Sequence, residues 1–392
     1  MDKNNSTVQT PLSFPEQVFG IDFHPSADIV AAGLINGAIE LHQYMMQDMN
    51  ENNGIIFKST PHTDSCRSVI FSADGRELLS GSKDCSIVAS DSSNGDQKWL
   101  QSEAHSAPIN CLYMLHENTF ASGDDEGAVK LWDIRQKEMT KSFKYNKDFI
   151  SDMLVHETDT NNLLITGGDG RLSVVDTRNG KLVGQSEEGE DELLSLAVVK
   201  HGKKVVCGSQ DGDLLIFTWG QWSAYSDKFP GHPQSIDTLL KVDEQTICSG
   251  SSDGLLRVIN ILPNKLLGVI GDHDGFPVES IKFSRDRNLI GSVSHDSKIR
   301  FFSTAVLFDD DGDDDDDGKK GEDGVQEAKE ASSGALAEKN TQKESENKST
   351  KDTAAVERSD DDSDSSDDDD AMDSSKGPKR LKTDAEIFFA DL

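Results

Sequence analysis

Two short segments place an arginine two residues after an aspartate: Trp132-Asp133-Ile134-Arg135 and Val175-Asp176-Thr177-Arg178. A guanidinium is planar and permanently charged, and its fork of donors can grip a carboxylate at two points or stack on an apolar surface. Residues of this kind at the end of an element read as a docking contact. Other candidates for chemistry carry less. Gly167-Gly168-Asp169-Gly170 has the composition of a phosphate-cradling loop, but similar turns recur along the chain and no helix follows. Cys66, Cys85, Cys111, Cys207 and Cys248 form no Cys-x-x-Cys pair, and most lie in apolar runs such as Val206-Cys207-Gly208. Small buried thiols in a reducing compartment are the expectation. The ten histidines are mostly accounted for by repeat positions or loops, so no catalytic set, metal or cofactor is expected.

Charge narrows the partners. The 392 residues hold 39 Lys+Arg against 72 Asp+Glu, a net charge of −33. Residues 309–392 alone carry 29 acidic and 12 basic residues, hence −17. Phosphate backbones and anionic membrane surfaces repel such a chain, which argues against general nucleic-acid or membrane binding and favours basic proteins. No apolar run approaches the length of a membrane span, and Met1–Thr10 is polar rather than a secretory signal. A soluble intracellular protein is expected.

The elements that must position these residues repeat. A small-residue pair, then Asp-Gly or a close variant, then an alternating apolar strand recurs seven times, with turn positions at 36, 84, 126, 169, 211, 253 and 296. The spacings are 48, 42, 43, 42, 42 and 43. Each turn follows an apolar run such as Leu163-Leu164-Ile165 and precedes a strand such as Ala128-Val129-Lys130-Leu131-Trp132. Glycine at the turn accepts a positive φ without steric cost. Seven copies at this period predict an all-β, seven-bladed propeller over 14–308. Met45–Asn53, polar and rich in Met and Asn, accounts for the longer first spacing as an exposed loop. The segment 1–13, through Thr7–Phe14, is expected to supply the outer strand of the last blade; Ala305–Phe308 is the alternative.

The segment from His105 to Asp133 resembles a WD repeat in nearly every element: His105, the strand Ala107–Leu112, Ser122-Gly123 and Trp132-Asp133. That resemblance implies a buried hydrogen-bonded network of His105, Ser122, Glu126 and Trp132, with Glu126 one methylene longer than the family's Asp. His62, His232 and His273 fit the histidine position in other repeats, while Ser90, Val175, Phe217, Ile259 and Phe302 stand at the Trp position. The stretch Phe120–Arg135 also resembles the box of cullin-4 ubiquitin ligase substrate receptors. It implies docking on the adaptor damaged-DNA-binding protein 1 through Trp132, Asp133, Arg135, Asp176 and Arg178, with the two arginines side by side on neighbouring blades.

From Asp309 the chain changes character. Two acidic blocks, Asp309–Asp317 and Asp360–Asp370, flank a stretch with almost no large apolar residues, so disorder is expected from about 309 to 380. Ser363, Ser365 and Ser366 suit an acid-directed kinase. Lys379, Arg380 and Lys382 form either a nuclear import signal or a solvated charge cluster, and 386–392 ends the tail on an apolar patch. Taken whole, the chain is similar to the WD repeat-containing protein 55 family, on its plant branch. That resemblance implies a nuclear or nucleolar scaffold, also cytoplasmic, monomeric within larger complexes. It also implies a role as a cullin-4 receptor acting in growth and development, with ribosomal RNA processing as the alternative; the two are compatible.

Overall fold

The computed structural model describes residues 9–44, 54–156 and 159–308. Among these residues the chain forms seven four-stranded antiparallel sheets, the blades of a propeller. From centre to rim, the first blade is Val18–Phe23, Ile29–Leu34, Ile39–Gln43 and Ile55–Ser59. The second is Cys66–Phe71, Glu77–Ser82, Ile87–Asp91 and Gln97–Gln101. The third is Ile109–His116, Thr119–Asp124, Ala128–Asp133 and Glu138–Lys144. The fourth is Ile150–Val155, Asn162–Gly167, Leu172–Asp176 and Lys181–Gln185. The fifth is Leu193–Val199, Lys204–Ser209, Asp213–Thr218 and Asp227–Pro230. The sixth is Ile236–Lys241, Thr246–Ser251, Leu255–Asn260 and Lys265–Asp272. The seventh takes Val278–Phe283, Leu289–Ser294 and Lys298–Ser303 from the end of the ring. Its outer strand is Leu12–Ser13, paired as Leu12 with Ile299 and Ser13 with Lys298. Ala305–Phe308 is a short helix. The loop expected at 45–53 lies outside the described residues, as does everything expected of 309–392.

The second strand of a blade is covered on both faces by neighbouring blades. It therefore reads as a continuous small or apolar run, Leu163–Gly167 for instance, and five successive residues there are buried. Outer strands meet the core on one face only and keep charged residues, as in Glu138–Lys144. The packing lies between blades. At the seam of the first and seventh, Tyr44 stacks on Phe301 at 5.8 Å and meets Phe23 edge-on at 5.1 Å. Burial pushes the Tyr44 phenol up to about 12.

Three devices recur. Every innermost strand carries a bulge at its second residue, such as Arg67, Asn110 or Asp237. Side chains one residue on bond the next blade's backbone: Leu112 N donates to Ser68 Oγ (3.0 Å), Leu196 N to Asp152 Oδ2 (2.9 Å) and Ile281 N to Thr238 Oγ1 (3.4 Å). On one face of the ring, the third–fourth connection donates a backbone N–H to the first–second connection in each of the first six blades, as Ile134 N to Asn118 O (2.9 Å) and Thr177 N to Asn161 O (2.8 Å). The turn glycines serve on the opposite face. Gly127 has φ +83°, and a Cβ there would sit 2.5 Å from the carbonyl oxygen of Asn146 in the next blade's entry loop.

Candidate functional site

The third blade holds the full polar network. His105 Nε2 pairs with Ser122 Oγ at 2.6 Å, and the Trp132 indole N–H donates to the same hydroxyl at 2.8 Å. The acid is Asp124, not Glu126. Asp124 Oδ2 lies 2.7 Å from His105 Nδ1, and its Oδ1 accepts from the Glu126 and Ala128 amides at 3.0 and 2.8 Å. Glu126, one methylene too long for the buried position, turns outward and stands 3.7 Å from Lys144 with its side chain 62% exposed. Burial alone would push the Asp124 carboxyl up, but the bonds from His105 and Ala128 hold it below its ordinary value.

Other blades keep parts of this network. His62 bonds Ser80 and Ser86 at 2.7 and 2.8 Å, with Asp84 3.4 Å away; burial depresses the imidazole more than Asp84 raises it. His273 bonds Ser292 at 2.6 Å and Asp296 at 3.2 Å. His232 bonds only Ser249, because Asp253 is taken by Arg257 at 2.5 and 2.9 Å. Its Nδ1 is buried without a partner, and burial with the Arg257 charge pushes its pKa to about 4. The fourth blade uses an amide for the imidazole: Asn146 donates to Asp169 at 3.0 Å and accepts from Ser173 at 2.9 Å. Asn146 escaped the sequence reading because it is not a histidine; only its distance from Ser173 and Asp169 marks it.

The two Asp-x-Arg boxes end the third strands of adjacent blades, at the same connection on the same face. Arg135 Nε and Nη2 donate to Asp133 at 3.2 and 2.8 Å, and Arg178 Nε and Nη2 to Asp176 at 3.0 and 2.8 Å. The backbone amides of Arg135 and Arg178 bond the same carboxylates, both at 2.9 Å. These contacts hold Asp133 below its ordinary range and Asp176 down to about 2. The arginine side chains remain 65% and 69% exposed. One edge of each fork is occupied; among the described residues Nη1 has no hydrogen-bond partner.

Trp132, expected to dock with Arg135 and Arg178, is not at the surface. It is 3% exposed, stacked on Phe120 at 6.2 Å, with its N–H consumed by Ser122. Asp133 and Asp176 are also buried and orient the arginines rather than face a partner. Among the described residues no three His, Cys, Asp or Glu side chains gather to hold a metal, and no helix is long and apolar enough to cross a membrane. The five thiols are unpaired, with burial pushing all of them up, Cys248 to about 12. Ser363, Ser365, Ser366, Lys379, Arg380 and Lys382 lie outside the described residues.

The WDR55 family model matches residues 9–307, the whole described propeller. WD repeat-containing protein 55 of Arabidopsis thaliana is 42% identical over 286 residues, 73% of this chain and 80% of that protein. The Dictyostelium discoideum homolog is 38% identical over 300 residues, 76% of this chain and 72% of that protein. WD repeat-containing protein JIP5 of Coprinopsis cinerea is 39% identical over 306 residues, 75% of this chain and 74% of that protein. With seven four-stranded blades, a His–Ser–Trp network in the third and a family model spanning the ring, the chain belongs to the WDR55 family of WD-repeat proteins.

Proposed function

We propose that the propeller is a non-catalytic interaction scaffold that docks on the damaged-DNA-binding protein 1 adaptor of a cullin-4 ubiquitin ligase as a substrate receptor. The observation that carries this reading is the pair of guanidiniums on one face of adjacent blades. Each is pinned by a buried aspartate at the end of a third strand, with about two thirds of its side chain exposed. Pinning lowers the ordering cost of the contact, and the exposed part suits a carboxylate or carbonyl of the adaptor. Arg135 and Arg178 are the contact residues; Asp133, Asp176 and Trp132 position them. The test is co-purification of the adaptor with the wild-type chain and with Arg135→Ala plus Arg178→Ala. Loss of the adaptor from a double variant that keeps a cooperative thermal melt is expected; undiminished capture by the double variant defeats the proposal.

A second reading rests on the charge of 309–392, 29 acidic residues in 84 positions. It makes the chain a nucleolar scaffold in ribosome biogenesis, with the acidic segment shielding basic ribosomal proteins and Lys379, Arg380 and Lys382 directing nuclear import. Removal of 309–392 is then expected to change localisation and the pattern of precursor ribosomal RNA. No change in either measurement counts against it.

A further inference from the structure

The flank of the fifth blade carries a cleft of about 320 Å³, a volume suited to one or two side chains. One wall is the connection entering the blade, Glu187–Asp191; the other is the third strand with its flanking turns, from Ser209 to Tyr225, with Lys228, the partner of Asp213, also in the lining. Carboxylates crowd its rim, but not all are neutralised. Glu188 is paired with Lys147 at 2.6 Å and Arg171 at 2.9 Å, and Asp213 with Lys228 at 2.5 Å. Glu187, Glu190, Asp191 and Asp211 have no cation within ion-pair distance among the described residues.

The cleft also has an aromatic and apolar lining. Phe217, 2% exposed, forms its floor, and Tyr225, 49% exposed, meets it edge-on at 6.3 Å. Leu215 and Ala224 complete the apolar wall. The acidic wall is held in place: Glu187 N donates to Ser223 O at 3.0 Å, and Asp211 N to Asp191 Oδ2 at 2.9 Å. An exposed tyrosine face beside unneutralised carboxylates attracts a cation twice over, by the ring quadrupole and by charge, while the apolar wall takes a methylene stem. An anionic ligand is repelled, and a neutral apolar one would desolvate the carboxylates without pairing them.

We propose that this cleft binds a lysine or arginine side chain presented by a basic segment of a partner protein. It shares no lining residue with the Arg135–Arg178 pair, so, on the reading proposed above for that pair, one chain would offer different residues to an acidic and to a basic partner.

The test uses the full chain and a fluorescein-labelled arginine–glycine peptide of about ten residues bearing a benzophenone, with its citrulline counterpart as the neutral control. Because 309–392 also attracts cations, the readout combines fluorescence anisotropy with mapping of the crosslinks. The expected result is crosslinking within 186–228 and weak binding of the citrulline peptide. Glu190→Gln with Asp211→Asn should weaken binding about five- to thirty-fold. Tyr225→Ala should weaken it about two- to five-fold. All these side chains are at the surface, so melting temperatures should match wild type. Crosslinks confined to 309–392, or unchanged affinity in both variants, overturn the proposal.

Discussion

Replacing Asp124 and Glu126 separately by alanine decides which of the two closes the third blade's network. Asp124 is 0% exposed and accepts three hydrogen bonds, from His105 at 2.7 Å, Glu126 N at 3.0 Å and Ala128 N at 2.8 Å. Removing one partner of a buried charge-assisted set costs about 3–5 kcal/mol. An unfolding entropy of roughly 2.1 cal/mol/K per residue over a ring of this size gives about 0.6 kcal/mol per kelvin, so Asp124→Ala lowers Tm by about 5–8 °C. Glu126 is 62% exposed and faces a half-exposed Lys144 at 3.7 Å, so Glu126→Ala costs less than about 1 kcal/mol and under about 2 °C. Asp124→Asn, which keeps an oxygen for the two amides, falls between.

Calorimetry of the purified chain at neutral pH measures all three variants. The Asp124 pKa is lower in the folded state, so its contribution is present above the ordinary carboxylate value. It is lost as pH falls through the depressed one, so the gap between wild type and Asp124→Ala closes in acid. A Glu126→Ala variant as unstable as Asp124→Ala, or a gap that widens in acid, refutes the reasoning.

Asp237 has the opposite sign: burial first, then the Glu279 carboxylate, raise it to about 7. Its stability contribution is intact below the unfolded value and lost as pH rises toward 7, so Asp237→Asn should stabilise the chain above pH 7 by an amount that fades between pH 7 and 4; a pH-independent difference in Tm argues against it. Cys85 holds φ +66° at the turn where Gly37, Gly127 and Gly212 stand in other blades, so Cys85→Gly should stabilise by about 0.5–1 kcal/mol in a denaturant melt. Gly202 has φ +75°, and a Cβ there would fall 1.4 Å from His156 Nε2; Gly202→Ala should cost about 2–4 kcal/mol and, through the 4.7 Å contact of His156 with Trp219, alter tryptophan fluorescence.

The blade count was legible because each turn needs a residue such as Gly127 that accepts a positive φ against the neighbouring backbone, and that demand leaves a mark at a fixed period. The placement of His62, His105, His232 and His273 was legible for a related reason: each pairs with the serine at the fourth position of the second strand, about 17 to 19 residues on. The identity of the acid was not. Asp124 and Glu126 both flank the turn, and only the depth of the site, one methylene too shallow for glutamate, chooses between them. The boxes at 133–135 and 176–178 were visible as sequence. Their internal bidentate pairing and the burial of Trp132 depend on how the third strand ends against the first–second connection. The cleft beside Tyr225 left no local trace, since its acidic wall belongs to the fourth blade's exit and its aromatic wall to the fifth blade's third strand.

The pairing of Leu12–Ser13 with Lys298–Ile299 also imposes a timetable on synthesis. The clasp joins residues about 286 positions apart, and at translation rates of roughly 5–20 residues per second the N-terminal half waits on the order of 15–60 s for its mate to be made. Six blades can assemble behind the ribosome before the strands of the seventh are made. During that interval the waiting Leu12–Ser13 segment has no partner and is open to other strands, so closing the clasp also ends a window for mispairing.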